Sequence, residues 1–182
     1  MHCLLYLQQL ECHHKELYLL QQILYYHLKI FHYADLVRKA GNELTGIMKK
    51  RYDQLVRTKR YRKLKSLYKK YKDADNKKAL KDVCDQMKEM QKQYDVTWDY
   101  CRTSMIPIGK KYGIDAVFAL TKAENVFHGI EKCLYSDGET IHFKKRGDFP
   151  CIRAKQINRG IIMKQMNFKF KDIEFGVKIK DR

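Results

Sequence analysis

The spacing of apolar residues divides the chain into a long helical part and a shorter part with strand periodicity. Up to Tyr135 the apolar positions mostly recur every three or four residues, as they do along one face of a helix. From Ser136 onward they alternate with polar residues, which is typical of half-buried strands. The pattern therefore predicts an α+β protein. A helical bundle or hairpin domain is expected over residues 1–135, followed by a small antiparallel β-rich domain over residues 136–182, with barrel-like closure as one option.

The apolar stretches and the breaks between them indicate where the first helices lie. Residues 4–33 are rich in Leu and Tyr and lack Gly and Pro, which predicts one long helix or two shorter ones. A second apolar stripe covers residues 44–56, the rhythm breaks at residues 57–60, and it resumes over residues 61–71. Residues 73–76 read Asp-Ala-Asp-Asn, a turn signal with a helix N-cap. The sequence therefore predicts a helical hairpin whose first arm is strongly basic.

The arm after this turn carries a short heptad-like seam. Its apolar residues are three and four positions apart, and two heptads are fewer than a stable coiled-coil dimer normally needs. Packing within the chain is therefore favoured over a dimer. A helical protein that binds a protein partner or acts as a regulator, without enzymatic activity, is the alternative function. The seam residues are Leu80, Val83, Met87, Met90 and Tyr94.

Capping signals divide the rest of the helical part. Thr97 is expected to begin a helix that Pro107 ends or kinks. Asp115 is a candidate N-cap for a short helix. Thr121, with Glu124 three residues later, has the form of a capping box, which predicts that a further helix begins there.

Period-2 alternation follows Ser136-Asp137-Gly138, itself a turn signal. A strand is predicted at residues 141–144, an extended stretch with the same alternation at residues 151–155, and further strands at residues 161–163, 168–170 and 173–179. One face of such a sheet can pack on a core while the other presents cations beside an aromatic side chain. That surface suits a polyanion with stackable bases. The alternative is the solvated outer face of an ordinary sheet.

Charge favours a polyanionic partner. The formal net charge is +17, and it is concentrated in residues 38–82, at +12, and residues 136–182, at +6, around a neutral middle region. This distribution is typical of a strand or duplex gripped from two sides, with an anionic membrane surface as the second option. No apolar run approaches the ~20 residues that would span a bilayer, so we expect no membrane partner.

Eleven cationic side chains are the candidate phosphate contacts, and a plain solubility role is the alternative for each of them. Lys144 and Lys145 cannot both face solvent from a regular strand, because successive side chains point to opposite sides. The turn signal at Arg146-Gly147 favours a strand end, which gathers three cations at one tip. The candidates are Lys144, Lys145, Arg146, Arg153, Lys155 and Arg159 from the β-rich part, and Arg57, Lys59, Arg60, Arg62 and Lys63 from the basic helical arm.

Patterns that carry catalysis are missing from the sequence. No nucleotide-binding glycine motif, zinc-protease motif or nucleophile elbow occurs, and the acidic residues do not form a metal-binding set. We therefore predict no catalytic residue, no metal ligand and no cofactor. The six cysteines form no C-x-x-C pair, and no secretory signal is evident, so we interpret them as reduced thiols of a cytosolic protein.

Four segments resemble the N-terminal half of TnpB-like, transposon-encoded RNA-guided nucleases, the relatives of type V CRISPR effectors. They are residues 34–43, 96–102, 107–113 and 139–156, and the resemblance covers roughly residues 34–180. The strongest cue is a helical segment that leads into His-Phe-Lys-Lys-Arg-Gly. In that family this fits the passage from the helical recognition lobe to the β-rich wedge domain.

The resemblance implies a lobe that holds a guide-like RNA or an RNA–DNA hybrid through backbone contacts. It also implies a prokaryotic-type cytoplasmic protein that is associated with the nucleoid when bound. The family cuts DNA with a RuvC-like domain that follows the wedge domain, and this sequence ends before such a domain. We therefore expect a truncated relative, a remnant or a split piece that is not an enzyme by itself, with a separate nuclease subunit as an option. The sequence predicts no oligomeric state.

Overall fold

Five helices and three strands make up the described part of the chain. The computed structural model describes residues 2–136, 138, 140–146, 161–164, 167–171 and 173–176. The elements are α1 (His2–Arg57), α2 (Lys59–Asp73), α3 (Lys77–Gln93), α4 (Trp98–Lys111), α5 (Ala116–Tyr135), β1 (Ile161–Lys164), β2 (Asn167–Phe170) and β3 (Ile173–Gly176). None of the helices, within these residues, combines the length and apolarity that crossing a bilayer requires.

The helix α1 is a single element of 56 residues, so the first two apolar stretches belong to one helix. It ends where the sequence predicted a break. Thr58 adopts an extended conformation with φ −71° and ψ 132°, and its hydroxyl accepts a hydrogen bond from the backbone N–H of Tyr61 at 3.3 Å. Thr58 is therefore the N-cap of α2 and the only residue between the two helices.

The predicted helical hairpin consists of α2 and α3. The turn signal is confirmed, because Asp75 takes a left-handed conformation (φ 48°) and the Asn76 side chain accepts from the N–H of Ala79 at 3.2 Å. The seam of α3 packs within the chain, since Val83, Met87 and Met90 are buried in the core. The favoured intramolecular packing is therefore confirmed.

Pro107 does not end α4, which continues for one more turn to Lys111. Proline removes one backbone hydrogen bond of a helix. Here Pro107 is exposed, while Met105 and Ile108 on either side of it are buried. Their packing holds the helix together past the missing bond. Thr97 caps α4 as predicted, since its hydroxyl accepts from the N–H of Tyr100 at 3.3 Å.

The capping box predicted at Thr121 is wrong, because α5 runs without a break from Ala116 to Tyr135. Thr121 is buried within the helix, and its hydroxyl donates to the carbonyl of Val117 at 2.9 Å. Asp115 does occupy the N-cap position. Its carboxylate makes no capping bond and accepts instead from the hydroxyl of Tyr33 on α1, at 3.1 Å.

The core lies along one side of α1, against α4 and α5. Three aromatic rings join the helices to the sheet: Tyr33, Phe118 and Phe170 meet edge to face, with centroids 5.5–5.7 Å apart. Trp98 is half-buried against Phe127, as a core residue. The largest fully buried side chains are Tyr61, Phe118, Leu44, Met48, Leu55, Met87, Met105, Ile130 and Leu134.

The sheet is antiparallel, with the order β1-β2-β3. Ile162 pairs with Lys169, which in turn pairs with Glu174, so the exposed Lys169 and Glu174 are direct neighbours of opposite charge. The α+β class and the three later strands are confirmed. The extended stretch predicted at residues 151–155, and residues 177–179 of the last strand, lie outside the described residues. In the described part the sheet is open and not a barrel, and the division into two domains at residue 135 stays a prediction.

Candidate nucleic-acid interface

Three neighbouring cavities form one concave surface, here called the basic groove. The first, of about 480 Å³, lies along α2; the second, of about 520 Å³, lies between α2 and the C-terminal end of α5. The third, of about 750 Å³, lies between α1, α5 and residues 138–144. Lys65 and Lys69 line the first two cavities, and Gly138 lines the second and third. Asp73 is the only carboxylate among the described lining residues, against eight cations: Arg62, Lys65, Lys69, Lys70, Lys72, Lys122, Lys132 and Lys144.

Helical periodicity builds the row of cations along α2. Arg62, Lys65, Lys69 and Lys72 follow one another at spacings of three, four and three, so they share one side of the helix. Leu64, which lies about 100° around the helix from Lys65, is buried, and this fixes the orientation of the helix against the core. The row therefore faces the groove because the apolar side of α2 is already used in packing.

Lys65 ties α2 to the end of α5. Its ammonium donates to the carbonyl of Cys133 at 2.8 Å, and the same carbonyl accepts from the hydroxyl of Tyr52 at 3.3 Å. The last carbonyls of a helix lack partners within it and carry partial negative charge, so a lysine there is stabilising. Lys65 thus has a structural role in the groove, and it is only half-exposed.

Residues 141–146 do not form the predicted strand; they are irregular and lie along α1. The amide of Asn42 accepts from the N–H of Lys144 at 2.9 Å and donates to the carbonyl of Lys144 at 2.9 Å, and Arg38 Nη1 donates to that carbonyl at 3.3 Å. A neighbouring strand would satisfy the same two backbone groups. The alternation predicted that Ile141 and Phe143 share one face. Ile141 does pack on the core, whereas Phe143 is 51% exposed.

Replacing Asn42 with alanine is expected to release this segment from α1. Two hydrogen bonds are lost, each worth about 1 kcal/mol net, so the segment should open more often while the helical core stays folded. Limited trypsin digestion followed by mass spectrometry should then show faster cleavage after Lys144, Lys145 and Arg146. Asn125→Ala, a change of the same type at an exposed residue of the third cavity, is the control. Equal cleavage rates in the two variants would contradict the assigned anchor.

The structure brings some of the predicted phosphate contacts together. Lys144, Lys145 and Arg146 are consecutive exposed residues, and Lys144 lines the third cavity. Arg62 lines the first cavity, at the other end of the groove. The sequence thus identified one residue at each end of this surface.

Other candidates are placed elsewhere. Four exposed residues lie at the α1–α2 junction or on the outer side of α2 and line none of the three cavities: Arg57, Lys59, Arg60 and Lys63. Three more, Arg153, Lys155 and Arg159, lie outside the described residues.

Sequence reasoning missed most of the groove. The row on α2 had a usable signal, since Lys65, Lys69 and Lys72 continue the helical spacing from Arg62. Lys122 and Lys132 had no such signal, because they belong to the neutral middle region and reach the groove only through the packing of α5. Likewise, no sequence pattern at Asn42 indicates that it forms hydrogen bonds with a residue 102 positions away.

Lys122 is the least hydrated cation of the groove. Burial, followed by the neighbouring charges of Lys144 and Arg38, lowers the pKa of its ammonium. Its stem crosses onto α1 at Gly41, where an added β-carbon would overlap Cε of Lys122. The missing side chain at Gly41 therefore makes the room that Lys122 occupies.

The described buried cysteines lie in surroundings that disfavour the thiolate form. Cys84, Cys101 and Cys133 are free, as predicted for these three, and burial raises the pKa of Cys101 to about 12 and that of Cys133 above its usual value. A thiol with a raised pKa is a poor nucleophile at neutral pH. Within the described residues, no group of three or more His, Cys, Asp or Glu is placed to hold a metal ion.

Comparisons with protein-family models, curated proteins and solved structures found no match to this chain. The resemblance to TnpB-like nucleases therefore stays a prediction from the sequence.

Proposed function

We propose that this chain binds RNA or an RNA–DNA hybrid through the basic groove, as a counterpart of the guide-holding half of TnpB-like nucleases. The observation that carries the proposal is the continuity of the groove, in which eight cations and one carboxylate line three adjoining cavities. The proposed setting is a prokaryotic-type cytoplasm, in association with the nucleoid. The proposed role is binding, without strand cleavage by this chain.

The dimensions of the row on α2 suit a phosphate backbone. Ten residues separate Arg62 from Lys72, which corresponds to about 15 Å along a helix. That length spans several phosphates of a nucleic-acid backbone, since each strand of a DNA duplex rises about 3.4 Å per phosphate. Such contacts position a nucleic acid without reading its sequence.

An exposed aromatic residue supports a partner that carries bases. Phe143 is 51% exposed, directly before Lys144, and its ring passes over Gly46 of α1. Aromatic rings beside a cationic track give single-stranded nucleic acids a surface for base stacking, worth about 1–3 kcal/mol per base. Phe143 is therefore the proposed stacking residue, next in the chain to His142 and Lys144, which line the third cavity.

The alternative function is a helical protein that binds a protein partner or acts as a regulator, without enzymatic activity, and burial of three seam residues weighs against use of the α3 seam for it. Val83, Met87 and Met90 are buried inside the chain, so the seam offers no free apolar face. Light scattering of nuclease-treated protein separates the two functions. A stable homo-oligomer that ignores added RNA would favour the alternative.

The change of Lys144, Lys145 and Arg146 together to alanine should weaken RNA binding and reduce its salt dependence. Loss of two to three phosphate contacts lowers the slope of log affinity against log salt by roughly 2 for a single strand. All three residues are exposed, so the fold should survive. Electrophoretic shifts over a range of salt concentrations measure the slope, and circular dichroism checks the fold.

Two results would count against the proposal at this site. One is wild-type binding that is unchanged between low and high salt, since backbone contacts release counterions. The other is a triple variant with the affinity and slope of the wild type. The second result would place the interface away from residues 144–146.

A further inference from the structure

The third cavity has features that an open track for a phosphate backbone does not require. Its cations come from separate elements, with Lys122 and Lys132 on α5 and Lys144 on the segment anchored to α1. Amide, hydroxyl and imidazole groups of Asn42, Asn125, Thr140 and His142 line the same space. The cavity thus offers hydrogen-bond donors as well as positive charge.

Lys122 lacks a compensating charge in the part of the chain that the structure describes. Its charged neighbours are Lys144 and Arg38, which repel it, and no described carboxylate pairs with it. A half-buried ammonium beside like charges is costly unless an anion neutralises it. An anion placed between Lys122 and Lys144 would remove that cost.

We propose that the third cavity binds the terminal phosphate monoester of a nucleic-acid strand, whose body lies along the α2 row. A terminal monoester carries about 1.5 to 2 negative charges at neutral pH, whereas an internal phosphate carries one. The larger charge matches a cavity lined by three lysines and no described carboxylate. This inference rests on the proposed function, since it assigns the strand end to one part of the same groove.

The third cavity adjoins the α2 row. α1 and α5 form its floor, and Lys122 lies across α1 at Gly41. The second cavity shares Gly138 with it and borders the α2 row. A strand end that enters past Gly138 can therefore place its terminal phosphate between Lys122 and Lys144, while the rest of the strand follows the α2 row.

The test compares otherwise identical RNA oligonucleotides that carry a 5′-phosphate, a 3′-phosphate or hydroxyls at both ends. The wild-type protein should bind one phosphorylated form about tenfold more tightly than the hydroxyl form, the effect of one charge-assisted hydrogen bond. The preferred end gives the polarity of the strand. Fluorescence anisotropy at fixed salt measures all three affinities.

Lys122→Met should abolish this preference while it retains salt-dependent binding, because methionine keeps the apolar stem and removes the charge. Lys110→Met is the matched control, since Lys110 is exposed on α4 and lines none of the groove. That control should keep the preference. Loss of the preference in both variants would show a general charge effect and overturn the assignment.

Gly41→Ala tests the position of the Lys122 side chain without a change of charge. The added β-carbon must displace the far end of the Lys122 side chain, which is flexible, so the protein should fold and the preference should fall. A normal preference in both Gly41→Ala and Lys122→Met would overturn the inference.

The wild-type result separates this inference from the proposed function. Equal, salt-dependent binding of all three oligonucleotides would overturn the terminal-phosphate site and leave the proposed function standing. Absence of binding to every oligonucleotide would overturn both.

Discussion

Reversal of three charges in the groove, by Arg62→Glu, Lys69→Glu and Lys72→Glu, is expected to lower RNA affinity about 100-fold at moderate salt. Each exposed charge-assisted contact contributes about 1 kcal/mol, and three such contacts correspond to roughly two orders of magnitude. The slope of affinity against salt should fall by about 2, since three phosphate contacts are lost on a single strand. Lys65 stays unchanged in this variant because it also holds the end of α5.

A control variant with the same change in net charge separates the effect of the groove residues from the effect of overall charge. Lys78, Lys81 and Lys110 are exposed and line none of the three cavities. Their joint change to glutamate should weaken binding far less, through long-range attraction alone. Affinity titrations of both triple variants at several salt concentrations distinguish these two effects. Equal losses in the two variants would mean that net charge, rather than the groove, drives binding.

Phe118→Ala is expected to lower the free energy of unfolding by about 3–5 kcal/mol, the usual cost of deleting a buried phenylalanine side chain. Phe118 is 2% exposed and contacts both Tyr33 of α1 and Phe170 of β2. The change removes the ring that joins three elements, so the aromatic packing should be lost together with the apolar burial.

Urea unfolding followed by circular dichroism measures this loss. Leu120→Ala, two residues later in α5, is the control because Leu120 is 37% exposed, and its cost should stay at about 1 kcal/mol, since a partly exposed side chain loses less apolar burial. A cost below about 1 kcal/mol for Phe118→Ala would mean that the cavity collapses and that the three-ring cluster contributes little.

Features that depend on a few neighbouring residues were predictable from the sequence. The break before Tyr61, the turn before α3 and the cap at Thr97 all follow from side chains that bond their own backbone within three residues. Local chemistry of this kind acts whatever the tertiary structure is. The later strands were predictable for a similar reason, because alternation reports a half-buried surface.

The predictions that were wrong concern segments in which tertiary packing decides between two conformations that the local sequence allows. Thr121 and Glu124 match a capping box. The helical residues before them include the good helix formers Ala and Leu and contain neither Gly nor Pro, so α5 continues through both positions. Residues 141–144 alternate as a strand does, but the backbone N–H and carbonyl of Lys144 are bonded by the side chain of Asn42, on a helix.

The candidate site was predictable only where its cations are dense. The basic arm stood out in the charge distribution, and Arg62 was found there. Lys122 depends on the packing of α5 across α1 at Gly41, a contact between residues 81 positions apart that no local pattern reports. Function in this chain is therefore harder to predict than secondary structure.

The single-residue junction at Thr58 limits how the chain tolerates insertions. With no loop between α1 and α2, the junction has no slack to absorb an extra residue, which would turn or shift α2 against the core. Arg62, Lys69 and Lys72 would leave the groove, and Tyr61 would leave the core in the same movement. A length change at this junction would therefore damage binding and folding together. Substitutions along α2 can alter the two separately.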